Sequence, residues 1–221
     1  MNDHRAVLWD MDGTLLDSAE HHYRAWRETL AEAGFPLSRE RFFETFGQRG
    51  ETILRYNLGE NHPPEFYRDL VEKKRVRYRQ LVEQEGLRIM PGARDWLLRM
   101  QEAGWKQAIA SSAPRRSIEA FLASFDLRAF FGAIVGGEDV QECKPDPEVF
   151  LLAAERLGVS PSDCVVVEDA PAGIEGAKRA FMRSIGLLTS HPRLEAEIVS
   201  PDLPRLPEDA FERLFTSPGV G

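Results

Sequence analysis

Cysteine is scarce in this chain, with Cys143 and Cys164 the only two among 221 residues. Two are too few for a disulfide framework, and neither has the CxxC or Cys/His spacing of a zinc site. Long hydrophobic runs are also missing, so no segment suits a membrane span of about 20 apolar residues. Positive charge is in deficit: 28 Lys and Arg stand against 36 Asp and Glu, a formal net charge of -8. That balance argues against sequence-independent binding to nucleic acid, which relies on a basic surface. Internal repeats and low-complexity tracts are absent, and "MNDHR" leads into one short strand without a cleavable apolar signal region. The expected setting is the cytoplasm, and the expected state is a monomer. What remains is an ordinary globular composition, 43% hydrophobic and 29% charged, in a chain long enough to bury a core.

Short apolar runs rich in β-branched residues recur at Ala6–Trp9, Lys106–Ala110, Ala133–Val135, Cys164–Val167 and Ser184–Leu188. From Pro91 onward they alternate with helical patterns. These are Trp96, Leu97 and Met100; Ile118, Phe121, Leu122 and Phe125; and Val149, Phe150, Ala153, Ala154 and Leu157. Such alternation predicts an α/β fold, a doubly wound parallel sheet covered on both faces. Before Pro91 the spacing turns helical throughout, in Ala19, His22/Tyr23, Trp26, Leu30 and Ala33, and again in Phe66, Leu70, Val71, Tyr78, Leu81 and Val82. Phe42, Phe43 and Phe46 begin a further helical stretch that Gly47 and Gly50 are expected to interrupt. The expected organisation is a core of residues 1–17 and 88–221, with a helical bundle of residues 18–87 inserted after the first strand. The Pro-rich "SPDLPRLPED" reads as a surface crossing and "TSPGVG" as a frayed terminus.

Four motifs fall at the C-terminal ends of predicted core strands, where open α/β sheets bind ligands. The first, Asp10-Met11-Asp12-Gly13-Thr14, sets two carboxylates on one side of an extended stretch. Alone it is equally compatible with an Asx-type turn stopped by Gly13. In the second, "IASSAPRRS", Ser112 is a candidate helix cap, while the Ser111 hydroxyl and nearby amides could hold a phosphate. In the third, Asp146 reads as an N-cap with Pro147 as first helical residue. Nothing structural demands the preceding Lys144, and a cation there would neutralise a phosphate and its surrounding carboxylates. In the fourth, Glu168 and Asp169 end an apolar strand, Asp169 being also a possible cap for the next helix. Four acids gathered at neighbouring strand ends need a hard cation, and Mg²⁺ suits oxygen ligands.

Taken in order, the DxDGT of Asp10–Thr14, the strand-end Ser111, Lys144-Pro145 and Glu168-Asp169 resemble the haloacid dehalogenase superfamily of phosphotransferases, over nearly the whole chain. The resemblance implies a Rossmann-like core with a helical cap. It makes Asp10 the nucleophile that forms an aspartyl-phosphate. Asp12 would be the general acid/base and would offer its backbone carbonyl to Mg²⁺. Ser111 and Lys144 would orient and neutralise the phosphoryl group, and Asp169 with Glu168 would complete the metal site beside Asp10. Dehalogenases of the superfamily lack the second aspartate and the metal, so phosphoryl transfer is the implied reaction.

The cap resembles that of β-phosphoglucomutase and related sugar-phosphate phosphatases, most closely in "DSAEHHYRAW". That likeness matches a hinge hydroxyl at Ser18, a histidine at His22 that sets the acid/base aspartate, and a cap lysine at Lys74. For His22 the plain alternative is a ring packed near Trp26, and for Lys74 a snorkelling side chain beside Leu70 and Tyr78. Counted from Gly47, the substrate-binding cap arginine falls on Gly50, with Arg49 its neighbour. Gly47, Arg49 and Ser112 complete the expected substrate-binding set. Two departures, Ala170 where serine is frequent and Phe181 where glycine is frequent, concern packing after the metal site. The expected function is a Mg²⁺-dependent phosphatase of a small phosphorylated metabolite, a sugar phosphate by preference. The alternative is a phosphomutase, and a non-catalytic phosphometabolite-binding module is a third reading. Hinge closure between cap and core is also expected.

Overall fold

Side-chain alternation along the first strand sets the layers of the protein, seen in a computed structural model that describes residues 4–216. In β1 (Ala6–Trp9), Val7 and Trp9 face one apolar cluster, while Ala6 and Leu8 face another. A strand buried on both faces must be central. β1 indeed pairs in parallel with β4 (Lys106–Ala110) on one side and β6 (Cys164–Glu168) on the other. Beyond β4 lies β5 (Ala133–Val135), and beyond β6 lie β7 (Arg183–Leu187) and β8 (Ile198–Ser200). The six-stranded order β5-β4-β1-β6-β7-β8 reverses direction at β1, which places a topological switch point there.

Helices cover both faces. On the Trp9 face pack α5 (Ala93–Glu102), α6 (Arg115–Ser124) and α9 (Ala210–Thr216), contributing Trp96, Leu97, Ile118, Phe121 and Phe211. On the Leu8 face lie α7 (Glu148–Leu157) and α8 (Pro171–Arg179), contributing Phe150, Ala153, Ala154 and Ala177. Between β1 and β4 the chain runs out through β2 (Leu16–Asp17) and back through β3 (Arg88–Ile89), an antiparallel pair. Between those two strands lie α1 (Ala19–Glu32), α2 (Arg39–Phe43), α3 (Gly50–Leu58) and α4 (Pro64–Glu85). They share a cluster of their own, with Trp26, Leu30, Phe42, Leu54, Tyr67 and Leu70 at its centre.

Several sequence expectations need correction. Gly50 does not interrupt a helix but starts α3. A Cβ there would stand 2.9 Å from Val71 Cγ2, so the missing side chain lets α3 approach α4. The segment "SPDLPRLPED" is not a bare surface crossing. Leu203 and Leu206 are buried in the main core, and the indole N–H of Trp96 donates to the Leu203 carbonyl at 2.9 Å. The prolines break regular periodicity while leaving those leucines free to pack. The strands β2, β3 and β8 and the helix α9 carried too few residues to register as patterns. The expected fray at "TSPGVG" lies outside the described residues apart from Thr216, which ends α9. Phe181 has φ +57 and is 87% exposed, a left-handed position that accounts for the frequency of glycine there.

Candidate active site

The chain leaves β1 at Asp10, whose N–H still donates to the Val167 carbonyl of β6 at 3.0 Å. Asp10 is therefore held at the C-terminal end of the central strand, 5% exposed. Lys144, in the segment between β5 and α7, reaches it from the side. Its Nζ lies 2.5 Å from Asp10 Oδ1 and 2.7 Å from Glu168 Oε1. The other Glu168 oxygen accepts the backbone N–H groups of Asp169 and Ala170, both at 2.8 Å. Asp169 is buried beside them. Its carboxylate accepts from the Thr14 hydroxyl at 3.3 Å and from the Ser190 hydroxyl. Gly13 must lack a side chain, since at φ +88 a Cβ would sit 2.1 Å from Asp169 Oδ2.

One oxygen from each of Asp10, Glu168 and Asp169 lies within 4.8 Å of the others. Three buried carboxylates meet one ammonium, and the imbalance shows in their acidity. Burial pushes Asp10 up to about 8, against the pull of Lys144 and with the added repulsion of Glu168. Burial, then Glu168 and Asp10, raise Asp169 well above the usual carboxylate range. Lys144 is disfavoured by burial but held above its ordinary value by Asp10 and Glu168. An all-oxygen site short of positive charge fits a hard divalent cation such as Mg²⁺. The carboxylate of Asp12 is not part of this cluster.

Asp12 instead faces the helical segment. The Ser18 hydroxyl donates to Asp12 Oδ1 at 2.5 Å, and His22 Nε2 lies 3.3 Å from the same oxygen. His22 Nδ1 is 2.6 Å from Lys74 Nζ on α4. Burial would raise Asp12, but His22 and Ser18 outweigh it and hold the carboxyl below its ordinary value. Burial lowers His22, and Lys74 lowers it further. Lys74, 8% exposed, is brought down to about 7 by burial, with Asp12 opposing. Its ammonium lies over the Tyr78 and Trp26 rings, at 4.9 and 5.4 Å from their centroids. The His22 ring packs against those of Tyr78 and Phe46.

The remaining expected residues fall at the junction. Ser111 follows β4, with its hydroxyl accepting the Ala113 N–H at 3.1 Å. Ser112 does not cap the next helix. That helix starts only at Arg115, whose N–H is taken by the Glu138 carboxylate at 2.9 Å. Asp146 is likewise displaced from its expected capping place, because α7 begins at Glu148 and Pro147 stands outside it. The Asp146 carboxylate still accepts the Glu148 N–H at 3.0 Å. Nor does Asp169 cap α8, which follows Ala170 without a side-chain cap. Gly47 lies against Ala170. Arg49 donates to the carbonyls of Val140 and Gln141 at 2.7 Å each, and to that of Gly137. Its guanidinium spans from the helical segment to the loop after β5.

One group escaped the sequence reading. Thr189, Ser190 and His191 follow β7 and close the site from a further strand end. The Thr189 hydroxyl donates to the Gly13 carbonyl at 2.6 Å, and the Ser190 Oγ lies 2.9 Å from the Asp169 carbonyl oxygen. Their position just past a strand, like that of Asp10, Ser111 and Glu168-Asp169, was the available signal. Lys144, expected at a strand end, stands instead in the loop nine residues after β5 and reaches the site with its long side chain.

Residues 4–180 match the family described as haloacid dehalogenase-like hydrolase. The chain is 32% identical to β-phosphoglucomutase of Bacillus subtilis (strain 168) over 209 residues, covering 88% of each. It is 33% identical over 183 residues to the fructose-1-phosphate phosphatase YqaB of Escherichia coli (strain K12), covering 81% of this chain and 94% of that one. The crystal structure of β-phosphoglucomutase from Clostridium difficile superposes with a TM-score of 0.83 at 24% identity, covering 96% of both chains, and shares the fold.

Proposed function

The chain belongs to the haloacid dehalogenase-like hydrolases and is an enzyme, and from that premise we propose a phosphatase of small phosphorylated metabolites, sugar phosphates by preference, that uses Mg²⁺. The observation that supports this reading most is the buried contact of Asp10 with Lys144 beside Glu168 and Asp169. A carboxylate needs no deprotonation step to attack phosphorus once its site is neutralised. Asp10, Glu168 and Asp169, with the Asp12 carbonyl, would hold Mg²⁺, which supplies charge neutralisation for the phosphoryl oxygens.

In this reading Asp10 attacks phosphorus and the ester P–O bond breaks, leaving an aspartyl-phosphate. The departing oxygen takes a proton from Asp12. Water then attacks the phosphorus, Asp12 recovers a proton from it, and the bond to Asp10 breaks to release phosphate. Lys144 and the Ser111 hydroxyl line up and neutralise the transferring group. The contacts with Ser18 and His22 favour the ionised form of Asp12, the form that accepts the proton of water. Its acid role requires a proton taken up beforehand, and a substrate oxygen entering between Asp12 and Ser18 would relieve the contact that opposes it.

A phosphomutase reading is favoured by the Asp12–His22–Lys74 contacts and by the likeness to β-phosphoglucomutase. A panel of sugar phosphates with Mg²⁺ tests the main proposal through phosphate release. β-Glucose 1-phosphate with a trace of bisphosphate separates the two, since a mutase yields glucose 6-phosphate and a phosphatase yields free phosphate. A chain that releases phosphate from no member of the panel and makes no glucose 6-phosphate would remove both.

A further inference from the structure

His191 is 8% exposed and stands between the two halves of the site. Its Nδ1 lies 2.9 Å from the carbonyl oxygen of Asp169, just past β6. Its Nε2 lies 2.6 Å from the carbonyl oxygen of Phe43, the last residue of α2. The carbonyls at a helix end lack intrahelical partners, and a buried one needs a donor from elsewhere. The Phe46 N–H reaches the Phe43 carbonyl only at 3.4 Å, so His191 supplies the shorter contact, from another part of the chain. Six residues further on, Arg49 fastens the other end of the α2–α3 loop to the carbonyls of Gly137, Val140 and Gln141. The loop that carries Gly47 against Ala170 is thus pinned at both ends, once from each side of the site.

We propose that His191 is a positioning residue that couples closure of the helical segment to the placement of Asp169. One ring donates from Nε2 to the α2 end and sets its Nδ1 edge against the Asp169 backbone and the Ser190 Oγ, which lies between that edge and the Asp169 carboxylate. Opening the helical segment breaks the Phe43 contact and frees the ring that braces Asp169. Closure restores both. A cation bound at Asp169 therefore favours the closed form, and closure tightens the cation, as linkage requires. The proposal rests on the reading of Asp169 as a metal ligand.

The test uses the full chain with Mg²⁺ and inorganic phosphate, followed by hydrogen exchange of the peptide spanning 42–50 and by calorimetric Mg²⁺ titration. In the unaltered chain, the two ligands slow exchange in that peptide. His191→Ala abolishes the slowing and weakens Mg²⁺ binding by roughly fivefold, the scale of one lost hydrogen bond. Ser190→Ala weakens Mg²⁺ binding but leaves the slowing intact at saturating Mg²⁺. His191→Gln, which retains an N–H donor, recovers part of both effects, and it decides the matter if the alanine variant does not fold. Unchanged exchange and unchanged Mg²⁺ affinity in a folded His191 variant overturn the coupling. Absence of phosphatase turnover in the unaltered chain would count against the functional reading instead, and the exchange data would still judge the clasp.

Discussion

The two sides of the site are built on different principles. The sheet side gathers Asp10, Lys144, Glu168 and Asp169 on strand ends or tight segments, each 5% exposed or less. The helical side brings His22, with its side chain 19% exposed, and Arg49, which reach Asp12 and the loop after β5, with Lys74 behind His22 at 2.6 Å. Backbone pairing fixes the acids at the ends of β1 and β6, and buried ion pairs fix Lys144 to them, so their electrostatic conflict cannot relax by movement. The second set is held by side-chain contacts that the expected hinge at β2 and β3 would break and remake. The difference suggests a division of labour in which the sheet side performs phosphoryl transfer and the helical side selects and encloses the substrate. Substitutions that strike turnover on one side and substrate affinity on the other would sharpen that division. The reverse result would break it.

The largest effect is expected at Asp10. Asp10→Asn keeps the shape but removes the proposed nucleophile, and turnover should fall by more than about 10³-fold. Because burial already favours the uncharged form of Asp10, a neutral amide suits the site and the melting temperature without Mg²⁺ should hold. Rate assays and thermal melts measure the two, and a drop in both would mean that Asp10 is structural. Next comes Lys144→Met, which leaves Asp10 and Glu168 buried without their cation. The cost to stability should be about 3–5 kcal/mol in denaturant titration, and adding Asp10→Asn should restore part of it.

Mg²⁺ tests the sheet side without any substitution. Asp10 titrates near 8 when folded and near 3.8 as an unperturbed carboxyl, so between those values the folded chain binds a proton that the unfolded chain has released. Its contribution to stability is complete below about 4 and is lost as pH rises through about 8. Asp169 acts in the same direction. Protons and Mg²⁺ compete for the same oxygens, so the rise in melting temperature caused by Mg²⁺ should grow from pH 6 to pH 8. At a hundredfold excess over its dissociation constant, the ion should add about 2.7 kcal/mol. A Mg²⁺ effect independent of pH would argue that the carboxylates are already ionised by another partner.

The same division explains what could be read from the sequence. The strands β1, β4 and β5 match their apolar runs residue for residue, because a buried parallel strand leaves an uninterrupted signature. The motifs at Asp10, Ser111 and Glu168-Asp169 were legible because each is fixed by a strand end nearby, and Lys144 because a lysine before Pro145 has no capping or turn role to explain it. His191 was not, because a histidine between a serine and a proline carries no period, and its importance arises only where α2 meets the loop after β6. Leu203 and Leu206 were missed for a related reason, since burial in a loop depends on Trp96, more than a hundred residues away. Arg49 is intermediate. Its location was expected, but the groups it would touch depended on how the helical segment closes.

That makes Arg49→Ala the finest test, with the smallest expected effect. Its guanidinium donates to three loop carbonyls, and no acidic partner competes for it among the described contacts. As a clasp, it contributes wherever the helical segment is closed, in the free enzyme and in the complex alike. Removing it should loosen closure and raise KM by roughly fivefold to tenfold, the worth of one or two hydrogen bonds, with kcat nearly unchanged. As a direct phosphate ligand of the transition state, it would instead lower kcat, and Arg49→Lys would fail to rescue the loss because a point charge cannot replace the planar fork. Salt separates the readings as well. Contacts to neutral carbonyls are weakly screened, whereas attraction to a phosphate dianion weakens as ionic strength rises. A KM difference between Arg49→Ala and the unaltered chain that persists from low to high salt therefore marks the clasp.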